Sequence, residues 1–79
     1  MQLKTEVTAI MADVFGRSPD AIPDNASSGN IKEWDSVTHL TLIMALEDAF
    51  GITFGETRIA ALETLAMIVT EIESEILTV

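Results

Sequence analysis

Three side chains that carry chemistry lie close together in the sequence: Asp35, Ser36 and His39. They are the residue types of a Ser-His-Asp triad, in which a histidine activates the serine oxygen and a carboxylate orients the histidine. Because all three would project from one helical turn, His39 could not bond the serine on one ring nitrogen and the carboxylate on the other. So small a domain also offers no candidate oxyanion hole or substrate pocket. The sequence therefore predicts a protein that is not an enzyme.

The same residues have a simpler meaning if a helix begins at Ser36. Aspartate is preferred immediately before a helix because its carboxylate accepts hydrogen bonds from unpaired main-chain N–H groups of the first turn. With Asp35 in that position, the Ser36 hydroxyl faces outward. A phosphate on that oxygen would meet the positive end of the helix dipole. The Asp35-Ser36 dipeptide alone predicts only a helix cap. His39 is expected to be a partly buried helix residue or a contact for a group on Ser36.

The first part of the chain predicts one helix and a long loop. Apolar residues recur at helical spacing over Gln2–Phe15, and Gly16 is expected to end that helix. The loop that follows, residues 16–35, is rich in turn-forming proline, asparagine, serine and glycine. Three apolar residues within it predict that it is pinned to the bundle, namely Ile22, Ile31 and Trp34.

The rest of the chain predicts three more helices. The second covers Ser36–Phe50 and ends at Gly51, and a short third helix covers Glu56–Leu62. Thr64 is expected to cap the last helix. Its apolar residues share one face: Leu65, Ile68, Val69, Ile72 and Ile76. The predicted fold is all-α, a four-helix bundle with a long first loop and a short third helix, formed as a single domain over residues 1–79.

Composition restricts the partners. The net charge is −9, with four basic residues against thirteen acidic ones, so the chain repels nucleic acid and anionic membranes and favours basic protein surfaces. Acidity also simply keeps a small apolar domain soluble. The chain has no cysteine, and the acids between Asp20 and Asn30 lack the spacing of a calcium loop. The start of the chain lacks a signal-peptide pattern, so a cytoplasmic location is expected. The protein is also expected to bind no metal and to be a monomer.

The second helix carries two apolar stripes where a surface helix needs one. One stripe is the expected core face: Leu42, Ile43, Leu46 and Phe50. The other contains Val37, Leu40 and Met44, spaced i, i+3 and i+7, and lies well away from the first. Either the long loop covers the second stripe, for example through Trp34, or the stripe is available to a partner.

The residues from Trp34 to Ile52 resemble the Asp-Ser-Leu motif and second helix of acyl carrier proteins. The similarity continues upstream through residues 24–27 and downstream to Ile72, so it covers nearly the whole chain. The resemblance implies a carrier fold in which a phosphopantetheinyl transferase joins 4′-phosphopantetheine, taken from coenzyme A, to the Ser36 oxygen. The thiol of that arm then holds an acyl group as a thioester, which suits a chain without cysteine.

The resemblance also implies roles for other positions. Asp35 supports attachment of the arm. Partner contacts are expected at Val37, Leu40, Met44, Glu47, Asp48 and Glu56. The residues around an interhelical space for an acyl chain are expected to be Leu46, Phe50, Phe54, Ile59, Leu62 and Ile68, which are ordinary core residues if no cargo enters. The implied partners, besides the transferase, are an acyl-activating ligase, an acyltransferase or a ketosynthase.

The sequence departs from carriers of primary fatty acid synthesis. Before the serine it has Ile31-Lys32-Glu33-Trp34, and the first turns after the serine contain Thr38, His39 and Thr41 in place of acids. This pattern is more similar to carriers of specialised lipid, polyketide or surface-glycan pathways. Two alternatives remain open at this point. One is a carrier of aminoacyl, aryl or peptidyl groups, and the other is a helical interaction module that is never modified.

Overall fold

The computed structural model describes residues 3–77 and contains four α-helices in that range. They are α1 (Leu3–Phe15), α2 (Ser36–Phe50), α3 (Glu56–Ala61) and α4 (Leu65–Leu77). A 3₁₀ turn at Pro19–Ala21 lies in the long loop. The described residues form no strand, only an isolated antiparallel bridge between Ser27 and Thr64. The predicted all-α four-helix fold is therefore confirmed, whereas the predicted helix start at Gln2 lies outside the described residues.

The core forms where α1, α2 and α4 turn their apolar faces toward each other. Its largest fully buried side chains come from these three helices: Val7, Met11, Leu42, Ile43, Leu46, Leu65, Ile68 and Ile72. Burial of such aliphatic side chains is the main stabilising contribution in a chain with no disulfide. Ile76 was predicted to share the buried face of α4 but is 43% exposed. It lies in the last turn, beyond the core.

The long loop is packed against the bundle, as predicted. Ile22, Ile31 and Trp34 are buried, and the Trp34 ring lies 5.4 Å from the ring of Phe15, centroid to centroid. The Arg17 guanidinium donates hydrogen bonds to the Glu33 carboxylate, the shorter of them 2.8 Å long. These contacts fix the segment that leads into α2.

Local sequence explains where the helices begin and end. Gly16 and Gly51 follow α1 and α2 with positive φ angles of 71° and 65°, a region that a glycine enters without strain. At the start of α4, the Thr64 hydroxyl accepts a hydrogen bond of 3.1 Å from the N–H of Met67.

Within the described residues, no helix is long and apolar enough to cross a membrane.

Candidate functional site

Ser36 is the first residue of α2, and its side chain is exposed to solvent. Asp35 precedes it with an extended backbone and caps the helix: its Oδ1 accepts a hydrogen bond of 2.8 Å from the Thr38 N–H. That bond, and a second one from the Thr38 hydroxyl, hold the pKa of Asp35 below its ordinary range. The cap fixes the direction in which the chain enters α2, so the serine hydroxyl is presented at the positive end of the helix dipole.

The second apolar stripe of α2 is not covered. Val37 is 75% exposed, Leu40 is 55% exposed and Met44 is 67% exposed. Trp34, the loop residue expected as a possible cover, is itself buried and packs on Phe15. Three large apolar side chains therefore lie in solvent near the start of α2, whereas most other large apolar side chains of the described residues are buried or half-buried.

A groove of about 520 Å³ opens beside Ser36, between the first turns of α2 and helix α3. From the α2 side it is lined by Trp34, Asp35, Ser36, His39 and Leu40. The remaining lining residues come from α3, its following turn and the long loop: Ser28, Glu56, Ile59, Ala60 and Glu63. Four of these ten residues are apolar and six have polar side chains, so the groove offers both apolar surface and hydrogen-bonding groups, which a ligand site combines.

The imidazole of His39 connects three parts of the molecule at the inner side of this groove. Its Nδ1 accepts a hydrogen bond of 2.9 Å from the indole N–H of Trp34. Its Nε2 lies 2.6 Å from the carbonyl oxygen of Ile59 in α3. An indole nitrogen can only donate, so Nδ1 must accept, and the ring proton lies on Nε2. The two ring nitrogens therefore bond neither Ser36 nor Asp35, in agreement with the prediction that the three residues do not form a triad.

The three acidic residues predicted to contact partners differ in their surroundings. Asp48 and Glu56 are exposed. Glu47 is half-buried, and its Oε2 accepts a hydrogen bond of 2.9 Å from the main-chain N–H of Phe54. Glu47 therefore has a structural contact within the domain, because it holds the segment between α2 and α3.

The candidate acyl-pocket residues are mainly core residues. Four of them are buried: Leu46, Phe54, Leu62 and Ile68. Phe50 and Ile59 are half-buried and pack against that core. Of the six, Ile59 alone lines the groove beside Ser36. The structure thus places this set mostly behind the groove.

Sequence reasoning missed several residues that line the groove, above all Ser28, Ala60 and Glu63. The Ser28 N–H donates a 2.9 Å hydrogen bond to the Glu63 carbonyl, and this bond brings the long loop to the end of α3. No local pattern indicates that pairing, since the two residues are far apart in the chain. The bond of His39 to Ile59 was missed for the same reason. Its bond to Trp34, which is only five residues away, was missed because it depends on how the loop before α2 packs Trp34 against the bundle.

A comparison with known proteins places these observations in a family. The sequence profile of the family described as phosphopantetheine attachment site matches residues 5–72. A search of curated proteins found no match. Domains of the matching family hold a covalently attached 4′-phosphopantetheine group and are generally non-catalytic. The profile begins within α1, covers α2 and α3 and reaches into α4. The chain therefore belongs to the phosphopantetheine attachment site family and is a phosphopantetheine-dependent carrier domain.

Proposed function

We propose that Ser36 is the attachment point of the 4′-phosphopantetheine arm and that the protein presents acyl groups on it to partner enzymes. The observation that carries this proposal is the position of the Ser36 hydroxyl. It is exposed, it lies at the capped start of a helix, and it borders the groove between α2 and α3. A modifying enzyme needs such access to the oxygen.

The residues around Ser36 fit a phosphodiester. A phosphate on its oxygen is stabilised by the positive end of a helix of 15 residues, an effect that is strongest within the first turn. Attachment forms a bond between the serine oxygen and the phosphorus that bears pantetheine. The pyrophosphate bond of coenzyme A breaks, adenosine 3′,5′-bisphosphate leaves, and the serine proton is released. When bound, the arm supplies the thiol that this cysteine-free chain lacks.

The exposed stripe of α2 supports a docking role beside the attachment point. Val37, Leu40 and Met44 give a partner an apolar contact of the kind that a helix face offers. Asp48 and Glu56 add exposed negative charge near it, and the net charge of −9 favours encounter with a basic surface. Glu47 contributes charge from a position already bonded to Phe54.

The proposal also includes a more specific role. We propose that the carrier acts as a monomeric, cytoplasmic single domain over residues 1–79, in a specialised lipid, polyketide or surface-glycan pathway. Its partners are then a phosphopantetheinyl transferase together with an acyl-activating ligase, an acyltransferase or a ketosynthase. The first turns of α2 support a specialised role, because threonine and histidine stand at positions 38, 39 and 41, where fatty-acid carriers tend to have acids.

The test is the intact mass of the protein after incubation with coenzyme A and a permissive phosphopantetheinyl transferase. The parent is expected to gain one phosphopantetheine group, and Ser36→Ala is expected to gain none. Ser28→Ala is the matched control, because Ser28 is also exposed and lines the same groove. It should be modified like the parent.

Failure of this experiment also has a clear meaning. If the folded parent gains no mass while a known carrier is modified in parallel, the unmodified helical interaction module is the better assignment. If Ser36→Ala is still modified, the arm is attached elsewhere. A carrier of aminoacyl, aryl or peptidyl groups would give the same mass gain, since it differs in cargo and not in attachment.

A further inference from the structure

Helix α3 is held to the bundle by few contacts. It has six residues, none of which is buried, and Ile59 is the one residue of the helix that is half-buried. The carbonyl of that same residue is bonded to the His39 ring. An ion pair of 3.3 Å joins Arg58 of α3 to Glu71 of α4, whereas the bond of His39 joins α3 directly to α2. The position of α3 relative to α2 therefore depends on His39.

His39 is itself fixed from the opposite side. The indole N–H of Trp34 bonds its Nδ1, and the two rings are nearly parallel, with centroids 6.1 Å apart. Trp34 is buried and packs on Phe15 of α1, so it is anchored in the core. A continuous chain of contacts thus runs from α1 through Trp34 and His39 to α3. A satisfied, partly buried network of this kind rigidifies the elements that it joins.

This chain of contacts lies between the groove and the core. Trp34, His39 and Ile59 all line the groove, whereas the buried residues Leu46 and Ile68 do not. An acyl chain that starts at Ser36 must pass between α2 and α3 to reach those core residues. That path requires the bond between His39 and Ile59 to open.

We infer that His39 is a specificity-determining residue: it fastens α3 to α2 and confines cargo on Ser36 to the outer groove. The inference rests on the proposed attachment of the arm to Ser36. It names the class of cargo as short acyl groups, because a long alkyl chain gains stability by leaving water and here has no open path into the core. His39 acts through the position of α3, so it is a positioning residue.

The experiment uses coenzyme A analogues that carry amide-linked acetyl or dodecanoyl groups, transferred to the full chain and verified by intact mass. The measured quantities are the methyl chemical shifts of Leu46 and Ile68 and the thermal unfolding midpoint. In the parent, the acetyl and dodecanoyl forms are expected to give the same methyl shifts. In His39→Ala, the dodecanoyl form should shift these methyl resonances and raise the unfolding midpoint, because a ligand that enters the folded core stabilises it.

Two further variants make the test specific. His39→Gln retains one donor and one acceptor and is expected to restore the parental result. Trp34→Phe keeps an aromatic ring at the position that packs on Phe15 but removes the indole donor, so it should give a smaller dodecanoyl-dependent shift. If His39→Ala does not fold, Trp34→Phe takes its place in the test. The inference is then contradicted if the dodecanoyl group causes no change in the Leu46 and Ile68 methyl shifts of Trp34→Phe.

The possible failures are distinguishable. If the parent gains no mass, the proposed function fails and this inference fails with it. If the parent is modified and its dodecanoyl form already shifts the Leu46 and Ile68 methyls, the inference alone is wrong. The inference is also overturned if folded His39→Ala gives the same Leu46 and Ile68 methyl shifts and the same unfolding midpoint with the acetyl and dodecanoyl groups.

Discussion

The two apolar stripes of α2 have similar composition and opposite surroundings. Leu42, Ile43 and Leu46 are at most 2% exposed, whereas Val37, Leu40 and Met44 are more than half exposed. Both sets lie on one helix of 15 residues with one N-terminal cap. The difference teaches that helical periodicity identifies an apolar face but not its use. The first stripe stabilises the bundle, and the second, beside Ser36, is exposed to solvent, where we propose that a partner docks.

The largest expected effect comes from a matched pair of leucines. Leu46→Ala removes a fully buried side chain and should lower the free energy of unfolding by about 2–5 kcal/mol. Leu40→Ala, on the exposed stripe, should change it by no more than about 0.5 kcal/mol. Urea unfolding followed by circular dichroism measures both. Equal losses in the two variants would show that the stripes do not differ in their contribution to stability.

A charge on the exposed stripe should affect partners and leave folding intact. Leu40→Asp or Met44→Asp is expected to lower the kcat/KM for modification by the transferase about tenfold, which corresponds to roughly 1.4 kcal/mol of lost contact. Ala9→Asp places the same charge on an exposed position of α1 and should have little effect. If a stripe variant instead loses several kcal/mol of unfolding free energy, the stripe belongs to the core.

Glu47 and Asp48, at the far end of α2, allow a second comparison between a residue with a contact inside the domain and an exposed one. Glu47→Ala leaves the Phe54 N–H without its acceptor and should cost about 1 kcal/mol of unfolding free energy. Asp48→Ala, at an exposed position, should change that quantity by less than about 0.5 kcal/mol. The comparison is made by denaturant unfolding at neutral pH. A larger loss from Asp48→Ala would contradict the structural role given to Glu47.

The smallest expected effect concerns the cap before Ser36 and depends on pH. Hydrogen bonds from Thr38 lower the pKa of Asp35 in the folded state, so the carboxylate stabilises the fold at neutral pH. That contribution is lost as the pH falls through about 4 and below. The stability gap between the parent and Asp35→Ala should therefore shrink from neutral pH to about pH 3.

Asp35→Asn serves as the control for this measurement. Asparagine also caps a helix but does not titrate in this range, so the gap between Asp35→Asn and Asp35→Ala should not change with pH. A gap between the parent and Asp35→Ala that grows on acidification would show that the charge on Asp35 does not stabilise the folded state.

Much of the fold could be predicted from local sequence. Gly51, Asp35 and Thr64 act through bonds or backbone angles within their own turn, so the helix ends that they define were found correctly. The groove was not found, because it depends on the approach of Ser28 to Glu63 and of His39 to Ile59. Such contacts join residues about 20 or more positions apart, and no periodic pattern records them.

The exposed stripe of α2 could also be predicted only in part, because its exposure depends on tertiary packing. The spacing of Val37, Leu40 and Met44 indicated a second apolar face but left open whether Trp34 covers it. The answer depends on where Trp34 packs, which is against Phe15. The family and its cofactor could be inferred from the residues around Ser36, and the matching profile confirms both.

The most direct test of the central claim is to map the arm by mass spectrometry of tryptic peptides from the transferase-treated protein. Cleavage after Lys32 and Arg58 separates residues 33–58, in which Ser36 is the only serine, from the peptide that contains Ser28. The phosphopantetheine mass is expected on residues 33–58, with fragment ions that place it at Ser36. Its presence on the peptide with Ser28, or on neither peptide, would contradict the assignment of Ser36 as the attachment point.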